Sequence, residues 1–134
     1  MSVDPEANLC RKFMEFSKLL NIYLNHFPAH EKHALAQRIR NTAYAVYDYI
    51  SEGQKRYHKK TTLSNLDVAH EQLRMQLLLA YEMGYFRFTD GKKSEKSPAQ
   101  VEAHRFTAIT RLNDELGRMI GGWIIKVKEI NRWL

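Results

Sequence analysis

The 134-residue chain carries 21 Lys and Arg against 15 Asp and Glu, a net charge of +6, with 44% hydrophobic residues, enough for one domain with its own core. A single cysteine, Cys10, excludes an internal disulfide. The opening MSVDPEANLC has neither the basic nor the apolar region of a secretory leader, and no run approaches the roughly 18 apolar residues of a membrane span, so a cytoplasmic chain without a membrane partner is expected.

With only six glycines and three prolines, and no segment alternating at the two-residue period of a strand, the chain reads as all-α. A first helix is expected over about 6–27, with Leu9, Phe13, Phe16, Leu20, Tyr23, Leu24 and Phe27 on one face. Phe27-Pro28 ends it, because proline disfavours helix in the residue before it. A second is expected over about 29–58 on a stripe of Leu35, Ile39, Thr42, Val46, Ile50, Gly53 and Tyr57. Ser64, with Asp67 three positions on, reads as the cap of a third over about 65–84, which turns Leu66, His70, Leu73, Leu77 and Ala80 inward and ends at Gly84. Residues 85–97, with an Asp90-Gly91 turn and the run KKSEKS, read as a mobile connection. The fourth helix, about 98–134, opens at SPAQ, where Ser97 caps, Pro98 fills the first position and Gln100 closes a capping box.

Short connections between the first three helices predict an antiparallel up-down four-helix bundle. At 1.5 Å per residue the third helix spans roughly 30 Å and an unbroken fourth roughly 55 Å, leaving part of the fourth without a partner in its own bundle. On that helix Ile109, Leu112, Leu116, Ile120, Trp123, Val127, Ile130 and Leu134 form the inward stripe. The segment GRMIGGW (117–123) places three glycines within it, at about 1 kcal/mol each. Gly117 and Gly121, one turn apart, predict close approach of a neighbouring backbone, whose dispersion contacts offset that penalty. Gly122 and Ile125 lie on the outer face, and WIIKVKEINRWL is apolar on more than one side. Gly117, Gly121, Gly122, Trp123 and Ile125 are therefore the candidate packing and association residues. The alternative is that Gly121-Gly122 breaks the helix and the tail folds back.

Residues 31–60 hold seven Lys or Arg against three acids, so +4 of the net +6 sits there. Arg38 and Arg40 lie on the second helix, and Lys55, Arg56, Lys59 and Lys60 in its exit, QKRYHKK. Arg40, Tyr44, Tyr47, Ser51 and Gln54 share a face on which arginine could meet phosphate and tyrosine could stack on an unpaired base. Equally, the tyrosines could pack at a subunit interface and the lysines be merely solvated. Arg74 has Glu71 as an i,i+3 partner, and Arg111 and Arg118 have Asp114 and Glu115.

Catalysis is not expected. His30 and His33 could share a metal, but a di-iron bundle needs two Glu-x-x-His motifs and two further glutamates, and only Asp67-x-x-His70 is present. His70 reads as a buried or interfacial side chain with a hydrogen-bond partner, and no phosphate loop or nucleophile elbow appears. No cofactor is implied.

DELGRMIGGW (114–123), with SPAQVE and LRMQLLLAYEMGYF (73–86) before it, resembles the accessory variability determinant family of diversity-generating retroelements, which is related to the four-helix proteins encoded in intervening sequences of bacterial 23S ribosomal RNA genes. The likeness covers most of the chain from LAQRIRNTAYAVYDYI (35–50) onward, and its most specific element is the glycine-tryptophan segment. It implies a barrel-like homo-oligomer, a pentamer, of four-helix protomers. Such assemblies bind RNA or DNA, associate with a reverse transcriptase that copies a template RNA with errors, and perform no chemistry themselves. It adds Arg74, Arg111 and Arg118 to the candidate nucleic-acid residues. Two other readings stand beside it: an intervening-sequence protein whose partner is ribosomal RNA, and a structural oligomer whose basic faces meet acidic protein.

Overall fold

The computed structural model describes residues 5–132. Its regular structure is α1 (Pro5–Asn25), a 3-10 turn at Ala29–Glu31, α2 (Leu35–Lys55), α3 (Lys60–Glu82) and α4 (Pro98–Arg132), with no strand among the described residues. Helix α1 packs on α2 and α4, and α3 packs on the same two, so α1 and α3 face each other across the bundle. Arg40, early in α2, bonds Asn21 and Asn25 late in α1, while Gln54, late in α2, reaches the Glu6 carbonyl and Cys10 sulfur early in α1.

The core follows the apolar periodicity. Phe16 and Leu24 from α1, Ile39 and Ile50 from α2, Leu66, Leu73 and Leu77 from α3, and Ile109, Leu116 and Ile120 from α4 are fully buried. Each gains about 1.5–3 kcal/mol on leaving water, and this burial, more than intrinsic propensity, stabilises the helices.

Three boundaries differ from the sequence reading by more than two residues. Helix α2 begins at Leu35, because the Glu31 carboxylate accepts the Leu35 amide at 3.0 Å and separates a 3-10 turn from the helix proper. It ends at Lys55, and Tyr57, expected on the buried stripe, is 84% exposed. Helix α3 begins at Lys60, which places Ser64 inside the helix and not at its cap. Burial explains the early start: Leu63 enters the core, and the Thr62 hydroxyl, also buried, donates to Glu52 at 3.0 Å.

The end of α3 is a Schellman turn. Gly84 has φ +79°, its amide donates to the Tyr81 carbonyl, and the Tyr85 amide donates to that of Ala80. At the start of α4, Ser97 and Gln100 satisfy each other's amides reciprocally, the expected capping box. The connection between them is anchored in its first part, contrary to the sequence reading. Tyr85 and Phe86 are buried, and Arg105 donates to the Phe86 and Phe88 carbonyls at 2.9 and 2.8 Å with its guanidinium 3.7 Å above the Phe88 ring.

Candidate nucleic-acid interface

Packing of α4 decides which end of the bundle is basic. The Trp123 indole enters the core against α2, where Gly53 leaves room for it: a Cβ on Gly53 would meet Cη2 at 2.7 Å. Beyond Trp123, α4 runs alongside the start of α3, and Leu63, Ile124 and Val127 line a groove of about 550 Å³ with Lys60 and Lys128. The exit of α2, the first turn of α3 and the last turns of α4 thus place Lys55, Lys59, Lys60 and Lys128 at one pole.

Lys55, Lys60 and Lys128 make no side-chain hydrogen bond or ion pair with any described residue, nor does Arg38, exposed near the opposite end of α2. Lys59 donates to the Gly53 carbonyl and closes the last turn of α2. Arg56 pairs with Glu52 at 3.2 Å in an exposed i,i+4 bridge, worth only about 0.3–0.5 kcal/mol and readily exchanged for phosphate.

The other candidates fall elsewhere. Arg40 sits in the α1–α2 seam, donating to Asn21 and Asn25 at 2.6 Å each, and Tyr47 stacks on Phe13 at 5.5 Å between ring centroids. The shared face of Arg40, Tyr44, Tyr47, Ser51 and Gln54 thus touches α1 through Arg40, Tyr47 and Gln54, while Tyr44, Tyr47, Ser51 and Gln54 all keep exposed surface. Arg74 is held by Glu71 at 2.9 Å, and that bridge pulls the Glu71 carboxyl below the usual carboxylate range. Arg111 and Arg118 lie near Glu115, whose closest cation is Lys12 at 2.7 Å. The hydrogen bond from Lys12 is the chief cause of the low Glu115 carboxyl pKa, and the two arginines add to it.

The glycines divide likewise. Gly117 admits a side chain and not a backbone: a Cβ there would stand 2.8 Å from Cε1 of His70, whose buried imidazole donates to the Asn113 carbonyl at 2.7 Å. Cβ atoms on Gly121 and Gly122 would meet nothing within 4 Å. Ile125 beyond them is 59% exposed, so this face of α4 has no covering within the protomer; on the stripe expected to face inward, Ile130 is 51% exposed and Leu134 lies outside the described residues.

The Gly53–Trp123 contact was missed as a pair, although both residues lay on predicted inward stripes. Spacing within each helix ranks buried positions but does not pair them across helices. The grouping of Lys60 with Lys128, 68 positions apart, is unreadable for the same reason.

Among the described residues no cluster of three His, Cys, Asp or Glu could hold a metal ion, and no helix is long and apolar enough to cross a membrane. Comparison with curated proteins and with solved structures finds no match. A family model described as bAvd-like matches residues 9–127. The matched span opens at the buried Leu9 of α1 and closes at Val127 in the α3–α4 groove, reaching all four helices and the glycine-tryptophan segment; the chain belongs to the bAvd-like family.

Proposed function

We propose that this chain is a non-catalytic accessory protein of a diversity-generating retroelement, binding template RNA or cDNA and associating with the reverse transcriptase during mutagenic copying. Membership of the bAvd-like family supports the biological setting. The observation that carries the nucleic-acid reading is the basic pole, where Lys55, Lys60 and Lys128 project with no acidic partner among the described residues. Unpaired cations at this density attract a polyanion and release its counterions on binding.

In this reading the protomer is an up-down antiparallel bundle and assembles into a barrel-like homo-oligomer, a pentamer. The uncovered α4 face around Gly121, Gly122 and Ile125 supports association. Assembly repeats a few phosphate contacts per protomer and multiplies them by avidity.

Titration of the purified chain with a structured RNA and a length-matched DNA duplex across a salt series tests the reading. Log affinity is expected to fall linearly with log salt, with a slope near 0.9 per phosphate contact on the duplex. Absent or salt-independent binding would assign the basic pole to acidic protein instead.

A further inference from the structure

The groove at the basic pole has a shape that phosphate attraction alone does not require. Its floor is apolar, made by Leu63 of α3 with Ile124 and Val127 of α4, and its rim carries Lys60 on one side and Lys128 on the other. At about 550 Å³ it lies within the roughly 300–1,000 Å³ range of clefts that take small ligands. The walls offer hydrogen-bonding groups of both kinds, the Asp67 carboxylate as acceptor and the Ser64 hydroxyl and Asn131 amide as donor and acceptor.

The helix bordering this groove begins against its own dipole. Helix α3 has no side-chain cap, no acidic residue in its first turn, and lysines at positions 59 and 60. Cations at the positive end of a helix are unfavourable by about 0.3–1 kcal/mol each, and uncapped amides there remain open to an anion. A phosphate at this terminus reverses both effects.

We propose that this groove holds one unpaired nucleobase of a single-stranded nucleic acid, with the flanking phosphates on Lys60, Lys128 and the first turn of α3. The inference rests on the nucleic-acid reading above and adds the ligand's form. A base is flat and apolar on its faces and polar at its edges, which matches an apolar floor with polar walls. The Asp67 carboxylate favours the N–H groups of a base edge and opposes a fatty-acid or peptide carboxylate. A base stacked inside a duplex does not reach the floor, so single strands bind in preference to duplex.

The test compares two fluorescent 12-mers of equal charge, oligouridylate and its fully abasic counterpart, titrated against the full-length chain by anisotropy near physiological salt. Stacking of even one base predicts tighter binding of oligouridylate by about fivefold or more. Ser64→Leu and Ser64→Met, which fill the groove from an exposed helical position without adding an aromatic face on which a base can stack, are each expected to abolish that preference while leaving abasic affinity and the melting temperature unchanged. Lys60→Gln with Lys128→Gln is expected to weaken both oligomers alike. Equal binding of the two 12-mers, or a preference that survives both filled variants, overturns the groove assignment while the nucleic-acid reading stands. Binding of neither 12-mer nor of structured RNA overturns both.

Discussion

The Trp123 indole rests on the α-carbon of Gly53, so closely that a methyl group there would stand 2.7 Å from Cη2 and 3.3 Å from Cζ2, with the Leu63 side chain at 3.5 Å. Replacing Gly53 by alanine gains about 1 kcal/mol of helix propensity. Overpacking a core costs about 1–3 kcal/mol, and here the buried ring has little room to retreat, so the clash wins. Gly53→Ala is expected to lower the melting temperature by several degrees in a circular-dichroism melt; an unchanged or higher value would show that the ring moves freely.

Gly121 presents the opposite case, since a Cβ there meets nothing within 4 Å. Gly121→Leu is expected to leave the protomer's helicity intact and to reduce the mass of the assembly in light scattering. Wild-type mass would remove Gly121 from any subunit contact.

The helices and their inward faces were legible because burial repeats with helical period: the α1 stripe from Leu9 to Phe27 is buried throughout. Helix starts were legible only where the cap is local, as at Ser97 and Gln100. The start of α3 was not, because it depends on Thr62 reaching Glu52 and on Leu63 reaching the core. The candidate site was legible as a surplus of cations but not as a place. Which lysines stand free depends on partners such as Gly53 for Lys59, just as Asn21 engages Arg40.

Glu31 links three segments. Its carboxylate accepts the Tyr85 hydroxyl at 2.7 Å and the Leu35 amide at 3.0 Å, and these bonds, Tyr85 first, hold its pKa below the usual carboxylate range. A pKa lowered by folding contributes stability above the unfolded value and loses it as pH falls through the folded one. Glu31→Gln is expected to lower stability at neutral pH and to flatten the acid limb of the stability profile, measured by urea melts across acidic pH. A parallel displacement of the whole curve would mean that the charge on Glu31 is immaterial.

Arg105 fastens the segment after α3. Its guanidinium is buried, donates to two carbonyls, lies 3.4 Å from Asp90 and covers the Phe88 ring, whose other contacts include a stack on His26 at 4.9 Å. Arg105→Leu leaves those carbonyls unpaired and is expected to cost about 2–4 kcal/mol. Arg105→Lys keeps the charge but not the planar fork, and is expected to recover less than half of the loss. Limited proteolysis reads the same event, with faster cleavage within 89–97 in both variants. Unchanged cleavage in Arg105→Leu would show that Tyr85, Phe86 and the Arg87–Glu102 pair anchor the segment without it.

Two basic residues of α2 separate binding from folding. Lys55 has no side-chain partner among the described residues, so Lys55→Glu is expected to cost only the loss of a cation at the C-terminus of α2, about 0.3–1 kcal/mol, and to weaken nucleic-acid binding. The salt slope on duplex DNA is expected to fall by about 0.9 for each phosphate that the variant no longer neutralises. Arg40 is anchored to Asn21 and Asn25, so Arg40→Glu removes two charge-assisted bonds across the α1–α2 seam and is expected to lower the melting temperature as well. Its exposure, intermediate in the seam, limits that stability loss to about 1–2 kcal/mol. If Arg40→Glu weakens binding no more than its loss of folded protein accounts for, while Lys55→Glu weakens it directly, the interface lies at the pole and not along the seam. The reverse pattern would return it to the face of Tyr44 and Arg40.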